Sequence, residues 1–252
     1  VIVTGNKLDD FDVEVELRKQ IKSNIYLAKV TRVEPSLQTA FVDFGGNRHG
    51  FLAFNEIHPD YYQIPIADRE ALIAEERAEN KDDDDDNDET SSAEGDVEDI
   101  GGDDTDELEA RRSKISRRNY KIQEVIKRNQ ILLIQAVKEE RGNKGAALTT
   151  YISLPGRYCV LMPNTARGGG ISRKIANVSD RRRLKSILSE LEIPEGVAVI
   201  VRTAGSKRTK AEIKRDYDYL MRLWNQVRET TLDSIAPSLV YEEGNLIKRA
   251  IR

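Results

Sequence analysis

The segment from Lys138 to Thr150 combines charge and glycine in an order that core packing does not require. Five charged residues and two glycines follow directly after the apolar run at residues 131–137. Glycine lets a backbone approach a ligand closely, and neighbouring cations can lie along a polyanion. A charged β-hairpin has the same composition, because glycine and charge are common in turns. Taken alone, the segment is compatible with a polyanion-binding loop and with a plain hairpin.

Two further segments carry residue types that suit phosphate. Arg202 and Thr203 follow an apolar run and precede a predicted long helix. A guanidinium fork, a hydroxyl and backbone donors at a strand end can hold a phosphate, above all a doubly charged terminal one. The alternative is an Arg202–carboxylate pair with Thr203 shaping a loop. Residues 167–174, in which cations including Arg173 bracket three glycines, are a second candidate for backbone contact with phosphate, or a surface loop.

A group of aromatic residues near glycines is the third candidate site. Strand alternation puts Phe41 on the opposite face from Val42 and Phe44, so Phe41 is exposed if the Val42 face is core. Exposed aromatic side chains can stack on bases while nearby cations meet phosphate. Core packing is the competing interpretation for any single strand phenylalanine. The binding interpretation is favoured because several residues cluster in the predicted sheet. They are Phe41, Phe51, Arg48, His49 and Lys144.

The elements that must position these residues are predicted from hydrophobic periodicity. Five short strands with glycine-marked turns fit a small antiparallel barrel of OB type, at residues 25–33, 37–44, 48–52, 131–137 and 145–150. A strand pair around residues 5–7 precedes them. From residue 151 the pattern changes to α/β, with strands at 158–162 and 196–201 and helices at 179–191 and 207–230. Ser179 or Asp180 is the N-cap candidate of the first helix. The fold class is α+β and multidomain.

The formal net charge of −4 conceals a strong separation of charge along the sequence. Residues 75–109 contain 19 acidic against two basic residues, a formal charge of −17, so the remaining residues carry +13. The acidic stretch has few apolar residues and is predicted to be a disordered insertion. The remainder is basic, as expected of an RNA-binding body.

Several classes of protein are disfavoured by composition. No apolar run is long enough to span a bilayer, and no signal peptide opens the chain. Cys159 is the single cysteine, which excludes an internal disulfide and any multi-cysteine zinc site, and its apolar strand predicts an inert buried thiol. No carboxylate pair flanked by apolar strands suggests a metal-dependent nuclease centre, so no catalytic or metal-binding residue is assigned. A cytoplasmic location is the simplest interpretation.

Several ordered motifs resemble the N-terminal half of the ribonuclease E/G family. They include Ala40-Phe-Val-Asp-Phe-Gly45, Arg48-His-Gly-Phe-Leu52 and the opening segment. The others lie at residues 24–26, 31–37, 160–164, 169–173 and 201–205. Outside the acidic insertion, the resemblance extends over nearly the whole chain. The motifs do not separate the two branches of the family.

The resemblance implies a domain layout. A split ribonuclease-H-like domain would comprise residues 1–20 and 246–252, both truncated. An RNA-binding OB barrel of the ribosomal-protein S-one type would span 21–150, with the acidic insertion at about 75–110. A sensor domain for a 5′-monophosphate would span 151–245. By the same likeness, Arg202 and Thr203 would hold the 5′-phosphate in a pocket lined by Gly156 and Val160, while Phe41, Phe51 and Lys144 would contact RNA.

The resemblance also implies an activity for the parent protein. Family members cleave single-stranded, AU-rich RNA in messenger RNA decay and in ribosomal and transfer RNA processing. They use Mg²⁺ held by aspartates, form homotetramers through a zinc-binding cysteine motif, and join degradosome proteins. Those aspartates and cysteines would lie beyond Arg252, as would any membrane-associated segment, so this chain is expected to bind RNA with a 5′-monophosphate without cleaving it. A non-enzymatic, RNA-binding regulatory module is the alternative.

Overall fold

The computed structural model describes residues 2–5, 7–10, 20–46, 48–74, 120–140, 145–165 and 169–243. The first strands, β1 (Ile2–Thr4) and β2 (Lys7–Asp10), pair in antiparallel fashion around Gly5, whose φ is 64°. A positive φ is accessible to glycine at no steric cost, which explains the turn. The predicted strand pair at the start of the chain is therefore confirmed.

Five strands close into a barrel: β3 (Ile25–Glu34), β4 (Thr39–Asp43), β5 (Gly50–Ala53), β6 (Ile131–Lys138) and β7 (Ala147–Thr149). Their order is β3-β4-β5-β7-β6, and β6 pairs back with β3, an OB-like arrangement. The predicted barrel is confirmed, but it is not wholly antiparallel, since β5 and β7 run parallel. A closed ring of five strands cannot alternate direction throughout, so one neighbouring pair has to be parallel.

The barrel interior is filled by alternate residues of each strand. Val42 is 0% and Phe44 2% exposed, whereas Phe41, which directly precedes Val42, is only partly buried. The core face is thus the one that carries Val42, and the predicted outward direction of Phe41 is confirmed. Helix α1 (residues 66–74) lies between β5 and β6 in the chain, and the short helix α2 (Ile122–Val125) adds Ile122 and Val125 to the core.

A second sheet of four strands follows the barrel, in the order β10-β11-β9-β8. The strands are β8 (Leu154–Pro155), β9 (Cys159–Met162), β10 (Gly170–Ile171) and β11 (Ala198–Val201). Only β10 and β11 run parallel within it. The strands predicted at 158–162 and 196–201 correspond to β9 and β11. The last described strand, β12 (Ser238–Tyr241), returns to pair with β3 of the barrel.

Two helices pack beside the second sheet: α3 (Val178–Ser189) and α4 (Lys210–Asp233). The predicted N-cap of α3 was wrong, because the cap is Asn177, whose side-chain oxygen accepts from Ser179 N at 2.9 Å. The Asn177 side chain, two positions before Ser179, accepts from the N–H groups of Ser179 and Asp180, so the helix begins earlier than predicted. Helix α4 buries a stripe three and four residues apart, which anchors it to the core: Ile213, Tyr217, Leu220, Leu223 and Val227.

Several sequence-based predictions fall outside the described residues. They are the acidic insertion at 75–110, most of the proposed ribonuclease-H-like segments at 1–20 and 246–252, and Lys144.

Candidate nucleic-acid interface

The end of β11 and the turn between β8 and β9 bring Arg202 and Gly156 together. Arg202 follows the last residue of β11, and its backbone N–H donates to the carbonyl oxygen of Tyr158 at 2.8 Å. Its guanidinium Nη1 donates to the carbonyl oxygen of Gly156 at 2.9 Å. The guanidinium is therefore fixed beside the hairpin turn, where the backbone bond and the side-chain bond restrict its position.

Thr203 directly follows Arg202 in the chain and is exposed. It begins a 3-10 turn, Thr203–Gly205, whose tight course depends on the final glycine. A Cβ at Gly205 would lie 2.8 Å from a side-chain carbon of Val201 and 3.0 Å from the carbonyl oxygen of Tyr158. Close packing of this turn against the β8–β9 hairpin thus requires glycine, and the packing holds Thr203 at the strand end.

Asp216 of α4 holds the hairpin turn from behind. Its Oδ2 accepts from the backbone N–H groups of Tyr158 and Cys159 at 2.8 and 2.9 Å, and its Oδ1 accepts from that of Arg157 at 3.2 Å. A Cβ at Gly156 would lie 2.6 Å from Oδ2, so the carboxylate occupies the space that any larger residue needs. The position of the Gly156 carbonyl, and through it that of Arg202, depends on this contact.

The other two residues predicted for the phosphate pocket lie on the same sheet. Val160 is 2% exposed in β9 and pairs in register with Ile200 of β11. Arg173 is exposed two residues beyond the end of β10, which runs parallel to β11. Because parallel neighbours end at the same edge of a sheet, Arg173 and Arg202 leave the sheet from one edge. The structure thus brings Arg202 and Gly156 into contact at this edge, with Thr203 next in the chain. Arg173 leaves the sheet from the same edge, and Val160 is buried within the sheet.

The barrel presents a pair of aromatic rings on its outer face. Phe41 of β4 and Phe51 of β5 are cross-strand partners, with ring centroids 6.2 Å apart in an edge-to-face arrangement. Phe51 is 38% exposed, which leaves part of the ring accessible. The guanidinium carbon of Arg32 lies 4.7 Å from the centroid of the Phe41 ring, a cation–π contact that extends this face with charge.

The glycine-rich segment passes close to these rings. Arg48 and His49 are exposed just before β5. Gly145 approaches so closely that a Cβ there would collide with the carbonyl oxygen of His49. The N–H of Phe51 donates to the carbonyl oxygen of Ala146 at 2.7 Å. The described end of the segment at 138–150 thus contacts the aromatic face, as expected for a polyanion-binding loop. A plain charged hairpin would be compatible with the same contacts.

Three contributors to these surfaces were not predicted from the sequence. They are Asp216, Arg32 and the contact of Arg157 with Tyr158. The partners of Asp216 are backbone groups more than 50 residues away, which no spacing pattern reveals. Arg32 alone carried a usable signal, because it belongs to a strand that neighbours Phe41.

Cys159 is excluded from the candidate chemistry by its environment. The side chain is 0% exposed, and burial, followed by the nearby charge of Asp216, raises the pKa of its thiol to about 12. A thiol at this pKa is almost wholly protonated at neutral pH and is a poor nucleophile. The prediction of an inert buried thiol is confirmed.

We expect native protein to resist alkylation at Cys159. At pH 8 iodoacetamide should label the thiol only after denaturant is added, because access and ionisation are both restored on unfolding. Mass spectrometry of samples quenched over time measures the labelled fraction. Comparable labelling rates with and without denaturant would show that β9 opens readily.

Within the described ranges, no group of three or more His, Cys, Asp or Glu side chains is placed to hold a metal ion. The buried His58 accepts at Nδ1 from the N–H of Asp60 at 3.2 Å. A separate side-chain contact, between the His58 imidazole and the Asp60 carboxylate at 3.3 Å, lowers the pKa of that carboxyl. His58 therefore caps a local turn. No helix in the described part of the chain has the length and hydropathy needed to cross a membrane.

A closed OB-like barrel with an aromatic and cationic outer face is typical of proteins that bind single-stranded nucleic acid. Residues 153–252 match the ribonuclease E/G family. Over 251 residues the chain is 39% identical to ribonuclease E of Escherichia coli K12, covering 100% of this chain and 19% of that protein. The chain therefore contains a ribonuclease E/G family domain, and the resemblance drawn from its motifs is confirmed.

Other relatives give the same result. Ribonuclease E of Haemophilus influenzae is 38% identical over 100% of this chain and 22% of its own length. Ribonuclease G of Escherichia coli K12 is 30% identical over 99% of this chain and 42% of its own length. The chain thus spans about a fifth of the ribonuclease E proteins that it matches.

Proposed function

We propose that this chain is the RNA-binding and 5′-end-sensing portion of an endoribonuclease. Its parent would cleave single-stranded, AU-rich RNA in messenger RNA decay and in ribosomal and transfer RNA processing. The similarity to ribonuclease E along the whole chain supports the RNA-processing role. The observation that carries the sensing role is the Arg202 guanidinium, held at 2.9 Å on the Gly156 carbonyl with Thr203 beside it.

Recognition of a 5′-monophosphate follows from the charge and geometry of this pair. A terminal phosphate carries about −1.5 to −2 charges at neutral pH, more than the single charge of a diester. The planar guanidinium can donate two parallel hydrogen bonds to phosphate oxygens, and the Thr203 hydroxyl can donate a third. Because the Gly156 carbonyl already orients the guanidinium, less side-chain entropy is lost on binding. Gly156, Val160 and Arg173 complete the proposed pocket.

The barrel face would bind the body of the RNA. The Phe41 and Phe51 rings would stack on unpaired bases, which every base sequence allows, and the surrounding cations would contact phosphates. Arg32, Arg48, His49 and Lys144 are assigned to that second role. Binding to this face is therefore expected to weaken as salt rises, and to be indifferent to the chemistry of the 5′ end.

Replacing Phe41 with alanine is expected to weaken binding of 5′-monophosphorylated and 5′-hydroxyl RNA equally. The loss of one stacked base corresponds to about 1–3 kcal/mol, or roughly 5- to 150-fold in Kd. Fluorescence anisotropy with an unstructured oligoribonucleotide measures both values. Tyr219→Ala, which removes a 43%-exposed aromatic ring from α4, is the matched control. Unchanged affinity in a folded Phe41→Ala variant would remove the aromatic face from the RNA-binding surface.

The chemistry of cleavage is assigned to the rest of the parent protein. The described residues offer no cluster suited to a metal ion. We therefore propose that the parent protein holds the Mg²⁺ and Zn²⁺ sites, the homotetramer contacts and the degradosome contacts outside these residues. The parent is proposed to act in the cytoplasm. This chain would contribute binding and orientation of the RNA strand.

Binding to two otherwise identical oligoribonucleotides tests the function. We expect the monophosphorylated one to bind roughly 10- to 100-fold more tightly, since hydrogen bonds to a charged group contribute about 1.5–3 kcal/mol. Equal affinities would overturn 5′-end sensing, and no binding to either would overturn the RNA-binding role. The same samples incubated with Mg²⁺ should contain intact RNA. Cleavage by residues 1–252 alone would overturn the assignment of catalysis to the rest of the parent.

A further inference from the structure

Two arginines contact one tyrosine ring beside the proposed 5′-phosphate pocket. The guanidinium carbons of Arg157 and Arg208 lie 5.3 and 5.2 Å from the centroid of the Tyr158 ring. Arg157 comes from the β8–β9 turn, and Arg208 from the residues just before α4. Residues from separate parts of the chain therefore place two exposed cations around a single ring that is itself only 9% exposed.

This cluster is continuous with the pocket. The carbonyl oxygen of Tyr158 accepts from the N–H of Arg202, and Arg157 directly follows Gly156, whose carbonyl holds the Arg202 guanidinium. A chain that enters the pocket with its 5′ end must leave it across a neighbouring surface. The Tyr158 ring and its two cations are one such surface, and their charge suits a polyanion.

The backbone that carries Arg208 is anchored. Nη1 of Arg183, on α3, donates to the carbonyl oxygen of Arg208 at 2.7 Å, and Nη2 donates to that of Ser206. The cation–π contacts further restrict the two side chains on the ring. Cations that are already ordered lose less conformational entropy when they bind a ligand. These two arginines are therefore better suited to binding than mobile surface cations would be.

Carboxylates neutralise the cluster only in part. Glu212 forms an ion pair with Arg208 at 3.6 Å, and because the two side chains are 34% and 46% exposed, solvent screens this pair. Asp216 is occupied by three backbone N–H groups of the turn. Within the part of the chain that the structure describes, Arg157 makes no ion pair. Arg157 thus leaves positive charge facing solvent, and Arg208 adds a cation whose charge Glu212 offsets in part.

We propose that Arg157 and Arg208 form a second anion subsite, which binds the phosphodiester backbone of the nucleotides downstream of the 5′ end. The placement of this subsite rests on the proposed function of the Arg202 pocket. Its chemistry differs from that of the pocket, because it meets singly charged diesters and cannot distinguish one 5′ end from another. The pocket sets the preference for a monophosphate, and the subsite adds affinity for the strand that follows.

The double variant R157A/R208A tests the subsite. It should bind 5′-monophosphorylated and 5′-hydroxyl decanucleotides at least roughly tenfold more weakly, with the ratio between the two unchanged. The slope of log affinity against log salt should fall by about 1.4, the value for two phosphate contacts on a single strand. Affinity for a nucleoside 5′-monophosphate should be unaffected, since it has no downstream diester.

Two comparisons make the result decisive. R222A/R228A removes two exposed arginines from α4 and should lower decanucleotide affinity and the salt slope only slightly, as a general loss of positive charge does. R157K/R208K keeps the charge and should retain most of the salt slope, which separates binding from any structural effect on the turn. Undiminished affinity of the folded alanine variant for decanucleotides, or an equal loss for the mononucleotide, would overturn the subsite. If the wild-type protein binds the 5′-monophosphorylated and 5′-hydroxyl RNA equally, the pocket is refuted instead. The decanucleotide affinities of the variants still test the subsite in that case.

Discussion

Replacing Arg202 with alanine is expected to lower affinity for 5′-monophosphorylated RNA by roughly 10- to 100-fold. Hydrogen bonds to a charged group contribute about 1.5–3 kcal/mol, and the Gly156 carbonyl fixes this cation at the turn. The affinity for the same RNA with a 5′-hydroxyl should change little, because no terminal phosphate is lost. Anisotropy titrations with the two oligoribonucleotides measure the two effects side by side.

The control for Arg202→Ala is Arg228→Ala, which removes an exposed cation of the same type from α4. That variant should lower both affinities slightly and to the same extent, as a general loss of positive charge does. Circular dichroism checks that the turn at Gly156 survives without its guanidinium partner. Equal losses for both RNA ends in Arg202→Ala would mean that this corner is a general cation site without selectivity for the end.

Replacing Asp216 with alanine should lower the free energy of unfolding by about 2–4 kcal/mol. The change leaves the N–H groups of Arg157, Tyr158 and Cys159 without their acceptor, and two of these groups are partly buried. An unsatisfied buried donor costs about 1–3 kcal/mol. Denaturant unfolding followed by circular dichroism measures the change, and the 5′-monophosphate preference should fall with it because the Gly156 carbonyl loses its support.

Asp218→Ala supplies the comparison for Asp216→Ala, since it removes a carboxylate from an exposed position of the same helix. Surface substitutions of this kind change stability by less than about 0.5 kcal/mol. A similar small effect in both variants would show that the turn holds its shape without the carboxylate. If Asp216→Ala loses stability but keeps its preference for the 5′-monophosphate, the Asp216 contacts and the proposed pocket are independent.

The barrel could be predicted because its strands follow simple alternation with glycine at the turns. The alternation of Phe41 with Val42 also defined two faces, and the buried Val42 and Phe44 show which of them is core. The direction of the β5–β7 pair was the error, although an odd number of strands in a closed ring already requires one parallel pair. The closed topology therefore predicts a parallel pair, which hydrophobic periodicity alone does not.

The contacts that organise the site were much harder to predict. Asp216 lies on a long helix among other charged residues, and its function appears only when the helix is packed against the β8–β9 turn. Arg32 lies opposite Phe41 because of a register shift between Val30 and Arg32. Such an irregularity leaves no mark in a single sequence. Sequence motifs located Arg202 and Thr203, whereas three-dimensional packing determined what holds them.

The most direct test of 5′-end recognition is a crystal structure of this chain with a short 5′-monophosphorylated oligoribonucleotide. We expect the terminal phosphate to lie about 3 Å from the Arg202 guanidinium and the Thr203 hydroxyl, at the edge where β11 ends. A phosphate bound at another surface, or both side chains turned away from it toward the protein, would contradict recognition by this pair.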